Sequence, residues 1–403
     1  MTAALGAASF GTAWFAGDPA AEALLPAQHQ SRSDRVRRVR RARRPLQPEI
    51  AAALLDQNRR RGDLSVSLRL DQLAEPVAFV VTGQQVGLFL GPLYTVMKAL
   101  SAVRWAQRLE AESGVPVIPL FWLQTEDHDF EEVAQWRGPS GAGTDGREIR
   151  VRLEAPADEA RVPLGERRLP SDVKAAVASV MGRLGAGVDV DRLGGWLQAA
   201  YRPGVGWGDA FTQLLTEVLR GLGLLVLDPR RPAIAAGALP VHRAALAGQA
   251  ALREGLEQRA ETLEDAGFAI RVPIRDEALP FFHPDGPGGP RFRAARAGAG
   301  WRLAGSDATI SDAEVERWLA EAPLRWSTSA LLRPIVQDTL LPVAAQVVGP
   351  GEVGYLAQCE PPIMPFMGVL MKDLVTNEEA SDTIPRNAAP DAPKIVNWTK
   401  MRT

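Results

Sequence analysis

The segment TEDHDFEE at positions 125–132 sets five carboxylates, Glu126, Asp127, Asp129, Glu131 and Glu132, around His128. Carboxylates crowded together raise one another's pKa and ease proton transfer near neutral pH. They also suit Mg²⁺ held jointly with a substrate phosphate. Asp127, His128 and Asp129 are the candidate catalytic groups, in that order, with Glu126 as a candidate ligand contact. The competing explanation is electrostatic, since acids at a helix start favour its dipole, and it fits Glu131 and Glu132 best. Zinc does not fit, because the chain has four histidines and one cysteine with none at ligand spacing.

A second group lies upstream in VTGQQVGLFLGPLYTVMKAL, residues 81–100. Its glycines at 83, 87 and 91 match neither the dinucleotide fingerprint nor the P-loop, whose lysine directly follows the last glycine. A strand, a loop and a helix start can still bind a ligand, because helix N-termini attract anions and glycine permits close approach. Thr82, Gly83, Gln84, Gln85, Gly87 and Lys98 are the candidate contacts. The two glutamines both donate and accept, which suits sugar hydroxyls, amides or a purine edge. The alternative is that the glycines only permit a tight turn. A third group is LLRPIVQDTLLP followed by GPGEVGYLAQ. Arg333, Gln337 and Asp338 are polar residues inside an apolar stretch. A buried charge needs a partner, so an Arg333–Asp338 pair is one expectation and ligand binding the other. Gly349 and Glu352 sit where another helix opens after a strand.

These groups need a scaffold that brings strand ends together. Short apolar runs at 77–82, 115–124 and 223–228 read as buried strands, and GPLYTVMKALSAVRWAQRLEAESG between the first two reads as a helix begun at Gly91-Pro92. Strand, helix, strand at this length is a βαβ unit, so the three strands are expected to be adjacent and parallel in an α/β core. In such sheets ligands bind beyond the carboxyl ends of the strands, which would put Thr82–Gly91, Glu126–Asp129 and Gly349–Glu352 on one cleft. Further on, 137–150 reads as a surface loop, 171–185 and 208–222 as helices, 239–266 as one long helix, 291–305 as a small hairpin, and 331–358 as loop, strand, Gly-Pro and helix. Residues 1–75 form a helical, arginine-rich segment, with eight arginines between Arg32 and Arg44. No aromatic residue is interleaved there for base stacking, so the run reads as a solvated helix face. With 46 basic and 48 acidic side chains the net charge is −2, which argues against a protein-wide nucleic-acid or membrane footprint. The lone cysteine, Cys359, excludes an internal disulfide and fits a reducing, cytoplasmic location. No signal peptide or spanning helix is expected.

The blocks FVVTGQQVGLFLGPLYTVMKALSAVRWAQRLE, VPVIPLFWLQTEDHDFEEV, GLGLLVLDP and LLRPIVQDTLLPVAAQVVGPGEVGYLAQ resemble, in order, those of the bacillithiol biosynthesis cysteine-adding enzymes, the BshC family, from about residue 12 to residue 358. The resemblance implies a Rossmann-like core related to nucleotidyltransferases and class I synthetases, with helical additions spanning residues 76–358. It implies a ligase that joins L-cysteine to glucosaminyl-malate through an amide. Such chemistry activates the cysteine carboxyl group, commonly as an adenylate, so ATP is implied, and Mg²⁺ with it. The chain has neither an H-x-G-H motif nor a K-M-S-K-S loop, which leaves Lys98 and Arg333 as the cations for that task. The family also pairs two subunits through a C-terminal coiled coil. Residues 359–403 here are proline-rich, lack heptads and resemble no part of that continuation. They are expected to pack poorly, to leave the chain monomeric, and to make Cys359 incidental. The alternatives to the ligase are a remnant that binds small molecules without turnover and a related nucleotidyltransferase.

Overall fold

The computed structural model describes residues 8–25, 31–59, 62–138, 148–154, 159–359 and 373–375. Its centre is a five-stranded sheet built from β1 (Ala78–Gln84), β2 (Val117–Leu123), β3 (Leu225–Leu227), β4 (Val343–Val347) and β5 (Asp373–Val375). The strands lie in the order β5-β4-β1-β2-β3 and every pairing is parallel. The expected adjacency of the first three apolar runs is what the chain adopts. All seven residues of β2 are buried, as a strand covered on both faces must be. Successive side chains go to opposite faces. Phe79, Val81, Ile118, Leu120 and Trp122 join one core, while Ala78, Val80 and Val117 join another.

Helix α1 (Leu93–Ser113) connects β1 to β2 and buries Ala102, Trp105, Ala106 and Leu109 against the second core. It ends at Gly114, whose φ of 69° is the left-handed cap that glycine adopts without strain. Between β3 and β4 come α2 (Pro232–Ala247), α3 (Gln249–Asp265), short strands, a three-stranded sheet and α4 (Arg333–Leu340); α5 (Pro350–Cys359) follows β4. Residues 239–266 are therefore two helices, not one, with the break at Gly248. The stretch 333–340, read from sequence as loop, is helical because Pro334 falls in the first turn, where a missing N–H costs nothing. The ends of the expected loop at 137–150 pair as a hairpin, Gln135–Gly138 against Ile149–Arg152. The hairpin expected at 291–305 forms from Ala294–Ala297 and Gly300–Leu303, with Thr309–Ser311 as a third strand.

Cys359 is the last residue of α5 and is buried, its thiol directed at the Leu331 carbonyl at 3.4 Å. The core thus continues past the boundary expected at 358. Of the segment 360–403 only Asp373–Val375 is described, as the edge strand β5, so the expectations of poor packing and of a missing coiled coil lie outside the described residues. Among the described residues no helix is long and apolar enough to cross a membrane.

Candidate active site

The carboxyl ends of β1, β2 and β4 open into one cleft of about 580 Å³. Gln84 and Gln85 enter it from β1, Glu126, Asp127 and His128 from the end of β2, and Glu352 from the start of α5. Parallel strands explain this, because the three connections leave the sheet on the same side. Gln85 and His128 both line the cleft.

Polar contacts fix the carboxylates of the cleft. The Gln85 amide donates to Asp127 Oδ2 and to Glu132 Oε2, each at 2.8 Å. Asp127 Oδ1 accepts the His128 backbone N–H at 2.7 Å and lies 3.5 Å from Arg291 Nη1. Burial opposes ionisation of Asp127, but Arg291, the Gln85 amide and the His128 N–H outweigh it and hold its pKa below the usual carboxylate range. Arg291 is buried, donates to the Thr328 carbonyl at 3.2 Å, and stacks 3.7 Å above the Phe281 ring.

His128 is held at a pKa of about 4, first by burial and then by the Arg291 charge, against the pull of Asp127. Its imidazole is neutral at physiological pH. Arg291 Nη1 lies 3.4 Å from His128 Nδ1. Because a guanidinium can only donate, Nδ1 accepts and Nε2 carries the proton. Glu126 has the opposite environment to Asp127. Burial raises its pKa despite Arg291, Arg230 and the Thr328 donors. Its Oε1 accepts Thr328 N–H at 3.0 Å and the Thr328 hydroxyl at 3.2 Å, and Oε2 makes no hydrogen bond among the described residues. Two neighbouring carboxylates driven in opposite directions are the pattern of a divided acid–base task.

Several expected residues lie elsewhere. Asp129 does not line the cleft; its Oδ1 caps the short helix Phe130–Val133 by accepting Glu132 N–H at 3.2 Å. Thr82 donates to the Val347 carbonyl at 3.1 Å within the sheet. Gly87 serves the turn, since a Cβ there would stand 2.8 Å from Gly91 Cα. That turn carries three consecutive residues of positive φ, Phe89, Leu90 and Gly91, and Trp207 donates to the Val86 carbonyl beside it. Lys98 is fully buried and outside the cleft lining. The expected Arg333–Asp338 pair does not form. Arg333 lines the cleft and binds Gln337 Oε1 at 3.1 Å and the Tyr355 hydroxyl, while Asp338 faces Arg44. Gln337 turns inward toward Gln346. Gly349 makes room for a neighbour, because a Cβ there would collide with the Tyr94 hydroxyl, and Tyr94 itself lines the cleft.

Sequence reasoning missed the arginines that line the cleft, Arg271, Arg275, Arg291 and Arg293 among them. The alternation in RFRAARAG was the available signal, as residues 291 and 293 must project on one side.

The sequence profile described as "Bacillithiol biosynthesis BshC, N-terminal Rossmann-like domain" matches residues 12–371. The chain belongs to the BshC family. Relatives provisionally designated cysteine ligase BshC include one from Heliobacterium modesticaldum, 35% identical over 80% of this chain and 61% of its own length. Those of Salinibacter ruber and Solibacter usitatus are 33% and 34% identical, over 83% and 77% of this chain and 60% and 58% of their own lengths. The chain therefore spans about three-fifths of the length of these BshC relatives.

A BshC-family Rossmann-like core raises the fit of ATP and Mg²⁺. The two helix openings were candidate anion sites. At α5 the Gly349 N–H is taken at 3.0 Å by Glu352 of the same helix, and at α1 the loop folds onto itself through Gly87 and Gly91. Lys98 is committed to protein acceptors. Among the described residues no three carboxylate, imidazole or thiol groups converge to hold a metal. The openings therefore offer a phosphate no uncommitted lysine, while Arg271, Arg275 and Arg293 line the cleft itself.

Proposed function

We propose that this BshC core is the amide-forming part of a cytoplasmic cysteine ligase in bacillithiol biosynthesis, joining L-cysteine to the amine of glucosaminyl-malate. The observation that carries the reading is a cleft lined both by carboxylates, Glu126, Asp127 and Glu132, and by the arginines Arg271, Arg275, Arg291 and Arg293. An amine nucleophile suits the carboxylates and a substrate bearing carboxylates suits the arginines. Asp127 and Glu132, tied by Gln85, seat the amine. The amine nitrogen attacks the carbonyl carbon of a cysteine presented with an activated carboxyl group. An N–C bond forms, the leaving group departs with its electron pair, and the ammonium proton passes to Glu126, which burial makes a more basic carboxylate than usual. The His128 Nε2–H and Arg291 are the donors available to the carbonyl oxygen as negative charge builds on it. No step is assigned to a nucleotide or a metal.

The test is product formation from L-cysteine and glucosaminyl-malate, followed by mass spectrometry with and without ATP and Mg²⁺. A cysteine-dependent amide product supports the reading, and its absence in all mixtures overturns it. Saturable binding of glucosaminyl-malate without product would instead support a remnant that keeps the pocket but not turnover.

A further inference from the structure

We propose that Lys98 is a positioning residue that fixes Glu352 as a substrate-contacting carboxylate in the cleft wall, its Oε1 taking an ammonium or hydroxyl donor. The Lys98 ammonium is wholly enclosed, which is costly unless it is paired and hydrogen-bonded. It has three acceptors: the Gly83 carbonyl at 2.6 Å, Gln84 Oε1 at 3.3 Å and the Glu352 carboxylate. One side chain on α1 thereby ties the end of β1 to the start of α5. Those are two of the three connections that build the cleft.

Glu352 is divided between two tasks. Its Oε2 accepts from both Lys98 and the Gly349 N–H, which locks the side chain against its own helix start. Its Oε1 makes no hydrogen bond among the described residues and stands 4.0 Å from Arg333, whose guanidinium is already bound by Gln337 and Tyr355. The side chain is 18% exposed and lines the cleft, so Oε1, held only by the long ion pair to Arg333, is the oxygen a ligand can meet. A buried ion pair is weak evidence for stability as such, since apolar replacements often do as well. What this pair supplies is placement.

Two measurements test the proposal, and only the second rests on the ligase reading. Lys98→Met should speed amide exchange at residues 83–85 and 349–353 together, while leaving β3 unchanged. Unaltered exchange would remove the strut. Glu352→Gln should raise KM for glucosaminyl-malate about tenfold or more with a smaller change in kcat, and should lower Tm because the enclosed Lys98 ammonium loses its counter-charge. The double variant Lys98→Met, Glu352→Gln should recover the Tm lost in Lys98→Met, because no uncompensated charge remains, yet keep the raised KM. Wild-type KM in Glu352→Gln or in the double variant would show that the pair only balances charge, and would overturn the ligand role. If the wild-type chain fails to use glucosaminyl-malate, the ligase reading falls while the exchange measurement still decides the strut.

Discussion

His242 lies in α2, is 2% exposed, and packs 6.1 Å from the Trp326 ring with neither ring nitrogen hydrogen-bonded among the described residues. Burial alone lowers its pKa to about 4. The unfolded chain binds this proton near the ordinary value of 6.5, and the folded chain does not until the pH is far lower. Stability is therefore full above about pH 6.5 and is lost as pH falls toward 4. For those two pKa values the loss between pH 8 and pH 5 is about 2 kcal/mol, approaching roughly 3 kcal/mol below pH 4. His283, held at about 3, acts with the same sign, so the wild-type curve alone overstates the effect of His242. The comparison with His242→Leu isolates it. Urea unfolding at pH 8 should show the variant at least as stable, because two buried nitrogens without partners cost roughly 1–3 kcal/mol. At pH 5 the gap should widen in the variant's favour by about 2 kcal/mol. A gap that stays constant between the two pH values would refute the reasoning, and would mean that the ring reaches a partner or solvent.

Glu126→Gln should cut kcat by about 100-fold with little change in KM, since it removes the proton acceptor and leaves the shape intact; steady-state kinetics on the two substrates decides this. Asp129→Ala should cost about 1 kcal/mol of stability as a lost helix cap while keeping most turnover, which a thermal melt and a rate assay on one preparation will show. Because His128 is already neutral above about pH 5, the rate profile between pH 6 and 8 should carry no inflection that disappears in His128→Gln. Gly349→Ala should force Tyr94 out of its seat and impair substrate binding, and Tyr94→Phe in that background should not rescue it, because the ring carbon would also clash at 2.5 Å.

The hydrophobic pattern determined much of the architecture. Continuous apolar runs at β1, β2 and β3 with a helix between the first two imply a parallel sheet, because only strands buried on both faces dispense with polar alternation. From that topology it follows that Gln85, His128 and Glu352 open on one side of the sheet. The tertiary structure decided which polar residues face the ligand. Asp129 and Asp127 are two positions apart in a run of acids, and only the entry angle of the helix at Phe130 makes one a cap and the other a cleft residue. Lys98 looked like a free cation because burial is not written in its own neighbourhood. It depends on the Gly83 carbonyl and on Glu352, 254 positions away in the chain. Of the arginines at 271, 275, 291 and 293, only the last two left a trace in the sequence, in the alternation at 291–293. All four reach the cleft through folding of the region between β3 and β4. Local spacing reports which face a residue takes on its own element, and long-range packing sets what that face meets.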